Sequence, residues 1–231
     1  MKRFYKQAEI RAGASGHEVL LDGRSVKTPA RNALLLPTAA LAEVVAAEWN
    51  AQGETIDPRS MRLTGLANAA IDRVAPDPDA FAAGLARYGE SDLLCYRADG
   101  PAALVERQSQ SWDPILAWAR RRFDVDFEVT SGIIHRAQPQ ATIDRLAHAA
   151  ASLSPFELAA LSPLVTLSGS LIVALAIAEQ ALDVESAWTA ATIDEAWQAE
   201  QWGEDAEAAE RMANRRAEFE SAERFLRLLG A

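Results

Sequence analysis

At Thr38 the spacing of apolar residues changes from that of strands to that of helices, and this switch points to an α+β fold. Before it, short β-prone runs alternate with turn signals. Leu21-Asp22-Gly23-Arg24 sets Asp-Gly between HEVLL and SVKT, a strong signal for a two-residue hairpin. Gly13-Ala14-Ser15-Gly16 supplies an earlier turn and Pro29-Ala30-Arg31-Asn32 a later one. The expectation is a small antiparallel β-meander of three or four strands. After Thr38, Leu41, Val44, Val45 and Trp49 recur at helical intervals, with Thr38 placed to cap the helix and Gly53 to end it. So small a sheet needs a cover, and this helix supplies one, with Trp49 its largest apolar group.

From about residue 60 the pattern is helical nearly throughout. Asp77-Pro78 and Asp113-Pro114 each pair a capping residue with proline at a first helical position, and Ser154-Pro155-Phe156-Glu157 reads as a capping box. The spacing predicts helices over 63–74, 78–89, 101–111, 114–122, 141–151, 155–166, 169–181, 184–201 and 204–228. Extended stretches interrupt them at 92–96 and 125–130. The run LIVALAIA (171–178) is apolar on every side, so it is expected to be the buried centre of an orthogonal helical bundle. The expected division is a small α+β domain over 1–60 and a helical domain over 61–231, the boundary falling somewhere in 58–95.

Charge is unevenly distributed along the 231 residues. The net charge of −10 argues against nucleic acid and anionic membranes as partners. Yet residues 1–36 carry seven Lys/Arg against three acids, while 183–231 carry twelve Asp/Glu against five Arg. Cys95 is the only cysteine, so no intrachain disulfide forms and a reducing compartment is expected. The start MKRFYKQAEI lacks the apolar core of a signal peptide, and no apolar run approaches the ~20 residues that span a bilayer. The expectation is a cytosolic protein, or a mature chain already imported.

Catalytic signatures are scarce. None of His17, His135 and His148 has a second His or Cys at ligand spacing, so no metal is expected. Gly13-x-x-Gly16 lacks the ending and context of a phosphate loop, and Ser168 stands in no nucleophile-elbow frame. Arg120-Arg121-Arg122 is accounted for at a helix end. Carboxylates do cluster in DEAWQAEQWGED (194–205): Asp194, Glu195, Glu200, Glu204 and Asp205 surround Trp197 and Trp202. On a helix Glu195 and Glu200 stand about 140° apart and do not converge on one substrate. Trp188, Thr192, Glu195, Ala199 and Trp202 would form one helical stripe, with Gln198 beside it and Ile193 and Trp197 turned toward the core. The segment reads as an ordinary amphipathic helix, as an acid/base site of a small hydrolase or isomerase, or as a docking surface of aromatic anchors with a specificity-setting carboxylate. A passive scaffold working through the basic amino-terminal region, with Arg24 and Lys27, is a further reading.

Several strings together resemble one family. They are RFYKQ (3–7), VLLDGRSVKTP (19–29), LAEVVAAEW (41–49), the IDP and LANAAID segments within 56–72, DLLCYR (92–97), WDPILAW (112–118) and IDEAWQAEQWG (193–203). Their order is similar to that in the assembly chaperones that bind the α subunit of F-type ATP synthase before its catalytic head is built. Arg62 departs from the family pattern, which often has proline there, and the chain beyond Gly203 matches poorly. The resemblance implies a chaperone rather than an enzyme. It would shield unassembled α subunit until that subunit pairs with β, with no cofactor, metal or small-molecule substrate. The implied location is the cytoplasm in bacteria and the mitochondrial matrix in eukaryotic relatives. By motif, the family's functional acidic position falls on Glu195, with Asp194, Gln198, Glu200 and Trp202 around it as client-binding residues. Trp49, Gly203 and the hairpin pair Asp22 and Gly23 are the implied structural positions.

Overall fold

A computed structural model describes residues 1–132, 134–203 and 205–230. The chain separates into two compact units. One comprises Met1–Pro78, Ser154–Ala160 and the segment from Ser221 onward; the other comprises Asp79–Leu153 and Leu161–Glu220. The units are therefore not two consecutive stretches of sequence.

In the first unit, β1 (Ala8–Gly13) pairs antiparallel with β2 (Gly16–Leu21). The tight turn between them needs Gly16, whose φ is +136° and whose missing Cβ would stand 2.7 Å from the Leu36 carbonyl oxygen. Asp22 (φ 48°) and Gly23 (φ 80°) form the expected hairpin turn into β3 (Arg24–Ser25). The Asp22 carboxylate also accepts the backbone N–H groups of Lys6 and Gln7, at 3.1 and 3.0 Å. Those bonds hold its carboxyl below the ordinary range. The sheet departs from a simple meander. β4 (Leu35–Leu36) returns to β2, so β3 and β4 lie along different ends of that strand. The physical reason is the turn after Lys27: Arg31 is left-handed, the Lys27–Ala33 bridge folds the chain on itself, and β3 ends early enough to leave β2 free.

Helix α1 (Ala39–Asn50) is capped by Thr38 as expected. It ends at Asn50 rather than Gly53, the Ala51 N–H bonding the Ala47 carbonyl. The amide of Asn50 bonds both the N–H and the C=O of Ala8, acting as a one-residue strand partner at the β1 edge. The cover over the sheet is made by Leu41, Ala42, Val45 and Ala46, which pack with Val19, Leu21, Leu34 and Leu36. Trp49 is only half-buried at the margin, its ring edge-on to Tyr5 at 5.7 Å and its carbonyl accepting the Tyr5 hydroxyl at 2.7 Å. Helix α2 (Arg62–Ala69) has its amino end held by Glu48, which accepts from the N–H groups of Leu63 and Thr64. A π turn over Ala70–Val74 follows and contains Asp72. The Asp72 carboxylate pins the 28–32 turn through Thr28 Oγ1 (2.7 Å), Ala30 N (2.9 Å) and Asn32 Nδ2 (2.9 Å).

Among its described residues the second unit is mainly helical and carries one parallel pair, β5 (Tyr96–Arg97) with β6 (Thr130–Ser131). Its helices include most of α3 (Pro78–Ala86), then α4 (Ala102–Phe123), α5 (Gln140–Ala151), α7 (Leu171–Ala178), α8 (Val184–Ala191) and α9 (Ile193–Trp202). Parts of α6 (Pro155–Ser168) and α10 (Ala206–Leu229) complete it. Two sequence expectations change here. Residues 92–96 form a 3₁₀ turn leading into β5 rather than a longer strand. The two helices expected over 101–111 and 114–122 are one, with Pro114 inside α4. An internal proline forfeits one helical hydrogen bond. Burial of Trp112, Ile115, Leu116 and Ala119 on both sides of it, with Trp112 Nε1 bonded to the Ala190 carbonyl at 2.8 Å, holds the helix straight through the local stop signal.

The apolar run is the buried helix it was expected to be: every residue from Leu171 to Ile177 in α7 is buried. Its amino end is held by Ser170 and by Asp92, whose Oδ2 accepts the Ile172 N–H at 3.0 Å while Oδ1 accepts that of Leu94 at 3.1 Å. Burial pushes the Asp92 carboxyl up to about 6 despite these donors. Cys95, one turn on, is a buried thiol pushed up to about 12 by burial and by the neighbouring Asp92 charge.

Candidate functional site

The helix predicted over 184–201 is broken at Thr192, and this changes the site. Thr192 leaves helical geometry (φ −122°, ψ 20°) with its hydroxyl donating to the Trp188 carbonyl at 2.8 Å. The stripe from Trp188 to Trp202 is therefore not one helical face. Trp188, on α8, is buried against Phe219 with ring centres 5.4 Å apart. Trp202, at the end of α9, is 79% exposed. Threonine is a poor helix former, but nothing in its neighbours announces the break.

Helix α9 carries all five expected client-binding residues, and its neighbours hold most of their polar groups. Asp194, half-buried, accepts from Gln108 Nε2 of α4 at 2.7 Å. The same Gln108 accepts the Ala98 N–H at 2.8 Å, so it ties α9 to the segment after β5. Glu195 lies 3.4 Å from Arg215, a long contact for an ion pair, and its side chain is 42% exposed. Arg215 itself donates to the Leu167 carbonyl at 3.0 Å and lies 5.9 Å from the centre of the Trp188 ring. Glu200 takes a two-pronged contact from Arg107, at 2.7 and 3.0 Å. Those hydrogen bonds outweigh the slight effect of burial and hold its carboxyl below the ordinary range. The Arg107 guanidinium also covers the Trp197 ring at 5.1 Å. Gln198 is exposed, and Gly203 ends the helix at φ 84°, its N–H on the Ala199 carbonyl at 2.9 Å. Glu204 lies outside the described residues.

Glu195 and Glu200 therefore face different arginines, Arg215 and Arg107. The grooves lined by Arg120, Val125 and Thr142, by Phe123, His148 and Leu153, and by Tyr5, Leu21 and Trp49 all lie away from α9. Among the described residues no group of three or more His, Cys, Asp and Glu is arranged to hold a metal ion, and no helix is long and apolar enough to cross a membrane. What α9 can do chemically is present one large aromatic and a loosely held carboxylate to another surface. Sequence reasoning missed the partners Arg107, Gln108 and Arg215. They come from α4 and α10, and no spacing rule connects them to DEAW. The expected core positions of α9 divide: Ile193 is buried, whereas Trp197 is half-buried beneath Arg107.

Residues 2–120 match the family described as ATP12 chaperone protein. Over 214 residues the chain is 26% identical to mitochondrial protein atp12 of Schizosaccharomyces pombe, covering 87% of this chain and 74% of the relative. It is 25% identical to mitochondrial ATP12 of Saccharomyces cerevisiae, covering 80% of this chain and 70% of that one. The crystal structure of Atp12 from Paracoccus denitrificans superposes with a TM-score of 0.93 at 45% identity, over 99% of this chain and 98% of its own.

Proposed function

The chain belongs to the ATP12 chaperone family, and from that membership we propose that it serves assembly of the catalytic head of F-type ATP synthase. It binds newly made α subunit, keeps it from aggregating, and releases it to pair with β. No bond is made or broken in this work, and no metal, cofactor or small-molecule substrate takes part. The family match is the observation that carries the reading. The two yeast relatives bear mitochondrial names, and the corresponding place for this chain is the bacterial cytoplasm or the mitochondrial matrix.

Physical chemistry supports a holding role for α9. An unassembled subunit exposes apolar interface that aggregates if left uncovered. A chaperone for it needs aromatic contact area and enough polar surround to let go. Trp202 supplies the first; Glu195, Glu200 and Gln198 supply the second. Glu195 is the proposed specificity-setting group, because its contact with Arg215 is long and a client cation competes for it. Co-expression with the α subunit tests the function: α stays in solution and co-purifies if the reading is right. The site is tested by Glu195→Lys, which is expected to fold normally and to lose α capture. A Glu195→Lys protein that suppresses α aggregation as well as the parent removes Glu195 from the client surface.

A further inference from the structure

The first unit carries an open groove of about 540 Å³ with an apolar floor and unpaired positive charge at its rim. Tyr5, Leu21 and Val26 form the buried floor. Phe4 stands beside it 67% exposed, edge-on to Tyr5 at 5.4 Å. Trp49 also lines the groove, and its indole Nε1 is buried with no hydrogen-bond partner among the described residues. Buried N–H groups are nearly always paired, so an unpaired one calls for an acceptor. On the rim, the Arg24 and Lys27 side chains are exposed and enter no ion pair or hydrogen bond among the described residues. The one acid in the lining, Asp22, is already taken by the N–H groups of Lys6 and Gln7.

We propose that this groove is a second client contact and that it takes an acidic, apolar segment of the captured polypeptide. Its apolar side chains lie on the Tyr5–Leu21–Val26 floor beside Phe4, and its carboxylates meet Arg24 and Lys27. The inference rests on the reading of the chain as a holding chaperone and adds a recognition element that α9 does not contain. The charge pattern favours this occupant. The chain carries −10 overall, yet residues 1–36 carry seven Lys/Arg against three acids, so the groove is a local reversal that attracts what an acidic surface repels. Two modest contacts on one chain hold a client more tightly than either alone and still release it stepwise.

Two arms test it on the full chain. In the first, unassembled α subunit is titrated against the parent, the Arg24→Glu/Lys27→Glu double variant and Glu195→Lys. The double variant is expected to keep the parent's thermal melt, to bind α at least about tenfold more weakly and to show a shallower salt dependence. Parent-like affinity and salt dependence in that variant overturn the proposal. In the second arm, the Trp49 indole N–H resonance, assigned with Trp49→Phe, is followed against a twelve-residue Leu/Phe/Glu peptide and its Gln counterpart. The acidic peptide is expected to move the resonance and the Gln peptide to bind at least about tenfold more weakly. No movement, or equal response to both, also overturns the proposal. If the parent fails to bind α at all, the chaperone reading falls, and the peptide arm alone decides the groove.

Discussion

Asp92 offers a direct test of how burial and hydrogen bonding balance in this fold. Its carboxylate is fully buried between Leu94 and the amino end of α7, where it accepts the N–H groups of Leu94 and Ile172. Burial dominates and pushes the group up to about 6. The unfolded chain holds an aspartate near 3.9, so the native state binds this proton more tightly. The stabilisation is therefore complete below about pH 4 and is lost as pH rises through about 6. Between pH 8 and pH 5 the gain from Asp92 alone is about 1.4 kcal/mol, one pH unit of linkage below the native value. Asp92→Asn keeps the shape and one acceptor but cannot titrate. Urea unfolding of both proteins at pH 5 and pH 8 is expected to show the parent's advantage over the variant growing by about that amount on acidification. An advantage that stays constant, or shrinks, refutes the reasoning. It would mean that the N–H donors outweigh desolvation and hold the carboxyl below its ordinary range.

Other outcomes follow from the first unit. Gly16→Ala sets a Cβ 2.7 Å from the Leu36 carbonyl oxygen at a φ of +136°, and is expected to cost about 1–3 kcal/mol in denaturant unfolding. Trp49→Arg loses the edge-on contact with Tyr5 and adds a cation to a groove already lined by Arg24 and Lys27; a destabilisation of about 2–4 kcal/mol is expected, and an unchanged thermal melt would show that Trp49 is not part of the fold's support. Asp72→Ala leaves the donors of Thr28, Ala30 and Asn32 without their acceptor, so amide exchange at 28–32 is expected to accelerate, with a loss of about 1–3 kcal/mol.

What the sequence determined by itself is local. Asp22-Gly23 sets its hairpin because the turn needs two residues at positive φ. Ser154 and Glu157 close their capping box, and the run from Leu171 is buried because no face of it tolerates water. The α+β class, and the resemblance carried by strings such as LDGRSVKTP and IDEAWQAEQWG, rest on the same short-range chemistry. What only tertiary structure decided depends on residues far apart in the chain. Pro114 stays inside α4 because the apolar face on either side of it is buried. Thr192 separates Trp188 from Trp202, so one tryptophan is core and the other surface. Asp194 and Glu200 are held by Gln108 and Arg107, 86 and 93 residues away. A hydrogen bond between side chains that distant leaves no period in the sequence, because it is selected by where the packed helices bring them.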